Sequence, residues 1–184
     1  MPRGIIFMQI SGMLKSFSIL FIVSFLFVSA NAQTLKKYPV STSGCSYYCY
    51  CDAKWEVSYS PDSSRVFTGE CVNDGLYYSV ICIKLNEEIA ELNVAEETMI
   101  SYLDYLKTSF EITGATGYGK GHRLQNDEKT RGVIDYWEDK EKNNWKIKAW
   151  TNGKYISVLM VYGKKEIPEP KANVFLDGFR FPVK

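Results

Sequence analysis

One histidine, His122, is present among the 184 residues. Metal and catalytic sites that need two imidazoles are therefore excluded, and a Ser-His-Asp or Cys-His site would depend on this residue alone. No partner stands at a motif spacing from it, which is typical of a surface or hydrogen-bonded histidine. A hydrolase that uses His122 with an acidic neighbour is kept as the third of three functional hypotheses, and no catalytic residue is assigned.

Glycines recur through residues 114–122, GATGYGKGH. Glycines let backbone amides approach a phosphate, and Lys120 could neutralise its charge. A phosphate-binding loop, however, follows a strand and opens a helix, whereas the pattern after this segment predicts another strand. We therefore expect a glycine-rich strand or a β-bulge.

Four carboxylates surround Trp137, namely Asp135, Glu138, Asp139 and Glu141. Such a group could supply the acid pair of a glycosidase, with the indole as a platform for a sugar. Alternation along a strand places Asp135 and Asp139 on one face and Glu138 on the other. We interpret the group as a solvated hairpin tip.

All five cysteines lie in one stretch of the chain: Cys45, Cys49, Cys51, Cys71 and Cys82. An oxidising compartment would pair them, and two disulfides with one spare thiol is the simplest count. A tight turn at 74–75 would place Cys71 opposite Tyr78 and Cys82 opposite Phe67, so the first three cysteines are expected to supply their partners. The C-x3-C-x-C spacing could bring three thiolates to a metal. Because it lacks the C-x2-C spacing of structural zinc sites, we predict no metal and no cofactor.

Aromatic residues make up 15% of the chain, more than one small core needs. The excess rings are Tyr47, Tyr48, Tyr50, Tyr77, Tyr78, Tyr136, Trp150 and Tyr155. On a sheet with one poorly covered face, Trp150 and Tyr155 would oppose each other beside Lys148 and, with Tyr136, form a recognition patch. In the alternative interpretation a terminal helix covers these rings, and the sequence leaves both open.

The first 32 residues have the parts of a secretory signal peptide. Lys15 precedes an apolar run over residues 16–28, and Ser29, Ala30 and Ala32 supply the small residues of a cleavage site. The run is shorter than the roughly 20 residues that span a bilayer, so we expect cleavage after Ala32 and no stable membrane span. The predicted location is outside the cytoplasm, either periplasmic or secreted.

The 22 basic and 21 acidic side chains give a net charge of +1. This balance offers no electrostatic reason to expect binding to nucleic acid, which needs a concentration of Lys and Arg on one face. Residues 33–52 are predicted to be an extended, cysteine-rich lead-in, and residues 53–184 a single domain.

Alternating apolar residues predict three antiparallel strands before residue 86 and four after residue 111. The strongest turn signal is Asn152-Gly153, and a two-residue loop there would pair Trp150 with Tyr155. One face of this hairpin must then be covered by a helix. The residues on this face of the hairpin are Trp145, Ile147, Ala149, Ile156, Val158 and Met160.

A stripe with helical spacing from Leu92 to Phe110 predicts one long amphipathic helix between the two groups of strands. Its firm start is Val94, behind an Asn93 N-cap. Pro168 opens a short terminal helix. The predicted fold class is α+β, with an antiparallel sheet of six to seven strands, one long central helix and a short C-terminal helix.

This order of elements, together with the segment FLDGFRF at residues 175–181, resembles the Mog1/PsbP-like α/β/α sandwich over most of residues 55–183. Proteins of that fold are mostly binding and assembly modules, so the resemblance implies a non-enzymatic role. No ligand motif of the family matches here, and the five-cysteine N-terminal half departs from its pattern. Cystatin-like and NTF2-like folds are the architectural alternatives.

Two functional hypotheses rank before the hydrolase that would use His122. The first is an exported, non-enzymatic binding or accessory module that engages an envelope or secreted protein. The second is a carrier in which an apolar pocket between helix 94–110 and the sheet holds a lipid-like or aromatic small molecule.

Overall fold

The computed structural model describes residues 34–183, which belong to one compact unit that begins at Thr34. The predicted signal peptide and its cleavage site lie outside the described residues. Within the described range, no helix is both long and apolar enough to cross a membrane.

The unit contains a small hairpin and a large antiparallel sheet. The hairpin consists of β1 (Lys36–Pro39) and β2 (Ser46–Cys49). The sheet contains β3 (Lys54–Tyr59), β4 (Arg65–Asn73), β5 (Leu76–Lys84), β6 (Ile112–Ala115), β7 (Gly119–His122), β8 (Arg131–Asp139), β9 (Asn144–Thr151) and β10 (Tyr155–Gly163). Its order is β3-β4-β5-β10-β9-β8-β6, and β7 also pairs with β8.

Two α-helices complete the described fold, α1 (Leu92–Ser109) and α2 (Glu169–Leu176). The predicted α+β class, long central helix and short terminal helix are confirmed. The predicted helix start was wrong, because α1 begins at Leu92 behind Glu91, whose carbonyl accepts the Ala95 amide at 3.0 Å. Asn93 therefore lies inside the first turn rather than at the N-cap.

The helices lie on opposite faces of the sheet. The apolar stripe of α1 packs on β6, β8 and β9, and its buried members are Ala95, Met99, Ile100, Leu103 and Leu106. The other face is covered by α2 and the β1–β2 hairpin. There the largest buried side chains include Tyr47, Phe67, Tyr78, Phe175 and Phe179. The predicted lead-in is thus a hairpin that contributes to the core.

The β9–β10 turn differs from the prediction by one position. Thr151 pairs with Ile156 and Trp150 with Ser157, so the tight turn is formed by Gly153 and Lys154. The cause is the Asn152 side chain, whose Oδ1 accepts the backbone amides of Lys154 and Tyr155 at 3.1 and 2.9 Å. The partner of each residue changes by two, so the predicted face is unchanged, and all six of its members are buried on the α1 side.

Two other local predictions can be compared with the strands. The β4–β5 register is confirmed, since Cys71 pairs with Tyr78 and Phe67 with Cys82. The strand expected over residues 112–124 is divided into β6 and β7, both irregularly paired with β8. This division adds an eighth strand to the sheet and agrees with the expected glycine-rich strand or bulge.

Tryptophans lie across glycines at two places on the face that carries α2. Gly132 pairs with Trp150, and a Cβ built on Gly132 would overlap the indole ring. Gly69 pairs with Trp55, and its Cβ would lie 2.7 Å from that ring. In both pairs the glycine provides the space that the neighbouring ring occupies.

Candidate functional site

The predicted aromatic patch is covered in the structure. Trp150 and Tyr155 are 3% and 7% exposed. The Trp150 Nε1 donates a hydrogen bond to the Leu176 carbonyl at 2.9 Å, and the Tyr155 hydroxyl donates to the Ser43 carbonyl at 3.2 Å. The two rings hold α2 and the β1–β2 connection onto the sheet. Their use for recognition stays a prediction, and their burial argues against it.

The other two predicted binding residues differ in their surroundings. Lys148 is buried beneath α2, where its Nζ lies 2.8 Å from both carboxylate oxygens of Asp177. Tyr136 is exposed and lines a shallow hollow of about 440 Å³. In that hollow Lys146 lies 5.6 Å from the Tyr136 ring centre and is paired with Glu169. Lys146 is therefore paired with the first residue of α2, and Lys148 with the residue that follows α2.

A groove lies on the α1 side of the sheet, and we call it the α1-side groove. Its volume is about 490 Å³. It lies beside the C-terminal end of α1, where Phe110 and residues of β3, β4, β5, β9 and β10 line it. The lining residues are Lys54, Trp55, Glu56, Thr68, Gly69, Glu70, Ser79, Ile81, Phe110, Trp145, Met160 and Tyr162.

One side of the groove is a stack of aromatic rings. Trp145 and Tyr162 are paired across β9 and β10, and their ring centres lie 3.8 Å apart at an interplanar angle of 5°. Phe110, at the end of α1, stacks on Trp145 at 5.3 Å, and Tyr77 stacks on Tyr162 at 4.8 Å. Because the rings cover one another's faces, they present mainly ring edges toward the groove.

Polar groups form the opposite side and the rim. Lys54 and Glu56 project from the edge strand β3, and Thr68 and Glu70 from β4. The Tyr162 hydroxyl donates a hydrogen bond to Glu70 Oε2 at 2.7 Å, which links the aromatic side to the rim. Burial and this carboxylate raise the pKa of Tyr162, so the phenol keeps its proton near neutral pH.

Two buried aspartates hold indole rings on this face of the sheet. Trp137 Nε1 donates to Asp135 Oδ2 at 2.6 Å, and Trp145 Nε1 donates to Asp139 Oδ2 at 2.9 Å. Asp135 also forms an ion pair with Lys107 of α1 at 3.2 Å. The expected solvated tip is wrong for these two carboxylates, because both side chains are buried and used for positioning.

The hydrogen bonds to Asp139 have an electrostatic consequence. Burial alone would raise its pKa, but hydrogen bonds from the Asn143 side chain and backbone, from Trp145 and from the Glu141 amide outweigh burial and lower the pKa. The carboxylate is thus ionised at neutral pH, and it fixes the indole that lines the groove.

The glycine-rich segment and His122 lie at the other edge of the sheet. The segment is attached to α1 by a hydrogen bond from Tyr118 to Asp104 at 2.7 Å and by an ion pair between Lys120 and Glu97 at 2.9 Å. His122 is exposed on β7, and no described side chain forms a hydrogen bond or ion pair with it.

The cysteines form two groups. Cys51 and Cys71 are joined by a disulfide, which connects the lead-in to β4 as the register predicted. Cys49 lies 3.9 Å from the Cys51 sulfur, so three sulfur atoms are close together. Because two of them are bonded to each other, this group offers one thiol to a metal rather than three.

Sequence reasoning missed Phe110, Trp145 and Tyr162 as members of one aromatic surface. With the assumed turn, Trp145 faced Met160 rather than Tyr162. The signal was Asn152 itself, since an Asn side chain that bonds amides two and three residues onward moves the turn by one position. The corrected register stacks Trp145 directly on Tyr162.

The chain was also compared with known proteins. No protein-family model matches it, and no curated protein matches it. The resemblance to the Mog1/PsbP-like sandwich stays a prediction.

Proposed function

We propose that the protein is an exported ligand-binding module whose site is the α1-side groove. The observation that carries the proposal is an open groove of about 490 Å³ with an aromatic stack on one side and acidic, basic and hydroxyl side chains on the other. A binding role is also what the predicted Mog1/PsbP-like fold implies. Export is supported by the signal-like first 32 residues and by the Cys51–Cys71 disulfide.

The lining defines the chemistry of the ligand. Ile81 and Met160 supply an aliphatic floor, and the stacked rings present edges that favour contact with an apolar or aromatic body. Lys54, Glu56 and Glu70 on the rim would orient polar groups of the same ligand. A small amphipathic molecule fits this arrangement. This proposal keeps the carrier hypothesis but places the pocket beside the end of α1 rather than between α1 and the sheet.

Binding of the neutral fluorescent probe N-phenyl-1-naphthylamine tests the site. Thr68 lines the groove from β4, so Thr68→Trp would fill it with an indole. The matched control is Val57→Trp, which places the same ring on the opposite face of β3, where Val57 is already exposed. We expect saturable binding by the wild type and by the control, and affinity at least about tenfold weaker for Thr68→Trp.

Equal affinity of the Thr68→Trp and Val57→Trp proteins would contradict the proposed site. Far-ultraviolet circular dichroism and thermal unfolding would show that both variants are folded. Absence of saturable binding by the wild type would remove the aromatic or apolar ligand class.

A protein partner is the second candidate, because β3 is an edge strand that pairs only with β4 among the described strands. Val57 and Tyr59 are exposed on one face of this edge. An extended segment of a partner could add a strand here. If so, replacing both residues by Lys would abolish the complex while leaving probe binding in the groove unchanged.

A further inference from the structure

Two buried thiols face each other between the hairpin and the sheet. The sulfur atoms of Cys45 and Cys82 lie 3.9 Å apart, and the residues are 2% and 0% exposed. Cys45 immediately precedes β2, whereas Cys82 is in β5 near the centre of the sheet. Among the described residues, no other pair of sulfur atoms approaches between the hairpin and β5.

Both cysteines are carried by backbone that is fixed on each side. Cys82 pairs with Phe67 of β4 and with Ser157 of β10, so ladders on both sides hold its strand. The Cys45 carbonyl accepts the Val40 amide at 2.9 Å, and the Cys45 amide donates to the Ser43 hydroxyl at 3.0 Å. The approach of the two sulfurs is therefore built into the fold.

We infer that Cys45 and Cys82 form a second disulfide in the exported protein, leaving Cys49 as its one free thiol. The sulfurs would move from 3.9 Å to the about 2.0 Å of a disulfide. Closing this gap requires rotation of the two side chains about their Cα–Cβ bonds.

The oxidation is a thiol–disulfide exchange with a disulfide-bearing oxidant of the export compartment. The Cys45 thiolate attacks one sulfur of the oxidant's disulfide, and the oxidant's other sulfur leaves as a thiolate. The Cys82 thiolate then attacks the Cys45 sulfur of this mixed disulfide and releases the second oxidant sulfur. Two protons and two electrons leave the protein, and the oxidant becomes a dithiol.

In the folded protein the two thiols of the pair differ in acidity. The Cys82 thiol donates a hydrogen bond to the Cys45 sulfur, which lowers the pKa of Cys45 and raises that of Cys82. Because both residues are buried, the oxidant must reach Cys45 before the hairpin closes over β5. The bond is thus expected to form during folding.

Cys49 differs from this pair because its neighbours already form a disulfide. Its sulfur lies 3.9 Å from that of Cys51, so attack there would release Cys71 rather than add a bond. Burial raises the pKa of Cys49 and keeps it as a thiol, which is a poor nucleophile. We therefore assign the spare thiol to Cys49.

Thiol counting on the exported protein tests this assignment. The chain is expressed with its own leader in a host with an oxidising periplasm and is denatured in guanidinium chloride containing N-ethylmaleimide. Intact mass should show one maleimide adduct per chain, and peptide mapping should place it on Cys49. Three adducts, on Cys45, Cys49 and Cys82, would overturn the inference, as would a single adduct on any other cysteine.

The Cys49→Ser variant is the matched control, because it removes the assigned thiol and leaves both cysteine pairs. It should take up no maleimide, and any adduct on Cys45 or Cys82 in this variant would again overturn the inference. The wild-type count needs no variant, so the test does not depend on the folding of a substituted protein.

Discussion

Replacing Gly132 by Ala tests whether the close packing of Trp150 is needed for stability. The backbone of Gly132 is in a conformation that alanine adopts without strain, so any cost must come from the new methyl group. That methyl would overlap the Cε3 and Cζ3 atoms of Trp150 and lie 3.2 Å from the Ala149 carbonyl oxygen. The indole must therefore move by more than about 1 Å to restore van der Waals contact.

The free-energy cost has two parts. Overpacking of a buried site costs about 1 to 3 kcal/mol. Movement of the ring also breaks the 2.9 Å hydrogen bond from Trp150 to Leu176, which contributes about 1 kcal/mol. Replacing glycine also lowers the conformational entropy of the unfolded chain, which offsets the cost by about 0.5 kcal/mol. We expect Gly132→Ala to lower the free energy of unfolding by about 1.5 to 3.5 kcal/mol.

The measurement is urea unfolding followed by tryptophan fluorescence, together with thermal unfolding by circular dichroism. A loss of this size should lower Tm by about 3 to 14 °C for a domain of this length. The control is Gly114→Ala on β6, where the new methyl would have only the Glu138 Cβ nearby, at 3.8 Å.

A cycle of substitutions isolates the ring contact. In a Trp150→Leu background the methyl has no indole to displace, so Gly132→Ala should cost less than about 1 kcal/mol there. The reasoning is refuted if Gly132→Ala and Gly114→Ala have the same Tm, or if the cost is the same with and without the indole.

Two further predictions concern charged groups. Asp177→Ala should destabilise the fold by about 2 kcal/mol in urea unfolding because it leaves the buried Lys148 ammonium unpaired, whereas Lys148→Met should change stability by less than about 1 kcal/mol. The reverse order would contradict this account. Asp139→Asn should lower stability at pH 7 by about 1 to 2 kcal/mol, because it weakens the bonds to Trp145 and Asn143. Since the folded pKa of Asp139 is below its usual 3.8, its contribution is present at higher pH and is lost as pH falls through the folded pKa. The free energies of unfolding of the wild type and of Asp139→Asn should therefore converge at low pH. A difference between them that does not change with pH would exclude the Asp139 charge as the cause of the stability loss.

Much of the fold follows from local sequence patterns. The step of three or four residues from Leu92 to Phe110 locates α1, and alternation together with Asp74-Gly75 fixes the β4–β5 register. These features depend on residues that are neighbours in sequence. A pattern of this kind also predicted which face of the β9–β10 hairpin is buried, even though the exact pairing was wrong.

The candidate site was not predictable in the same way. Alternation indicates that Trp150 lies on one face of the sheet, but it does not indicate that α2 and the β1–β2 connection cover that face. The α1-side groove is lined by five strands and the residue that follows α1, and the order of strands across a sheet is a nonlocal property. The burial of Asp135 likewise requires Lys107, which comes from a different element.

The packing of the β1–β2 hairpin has a consequence for the order of folding. Ser46 exchanges two backbone hydrogen bonds with Arg180, and Tyr48 donates another to the Gly178 carbonyl. The hairpin is synthesised first among the described elements, yet its docking partners come last. It must remain undocked while the rest of the chain emerges, with Tyr47 and the cysteines exposed to solvent. Completion of the core is thus a late, long-range step, and folding is expected to be slow for a domain of this size.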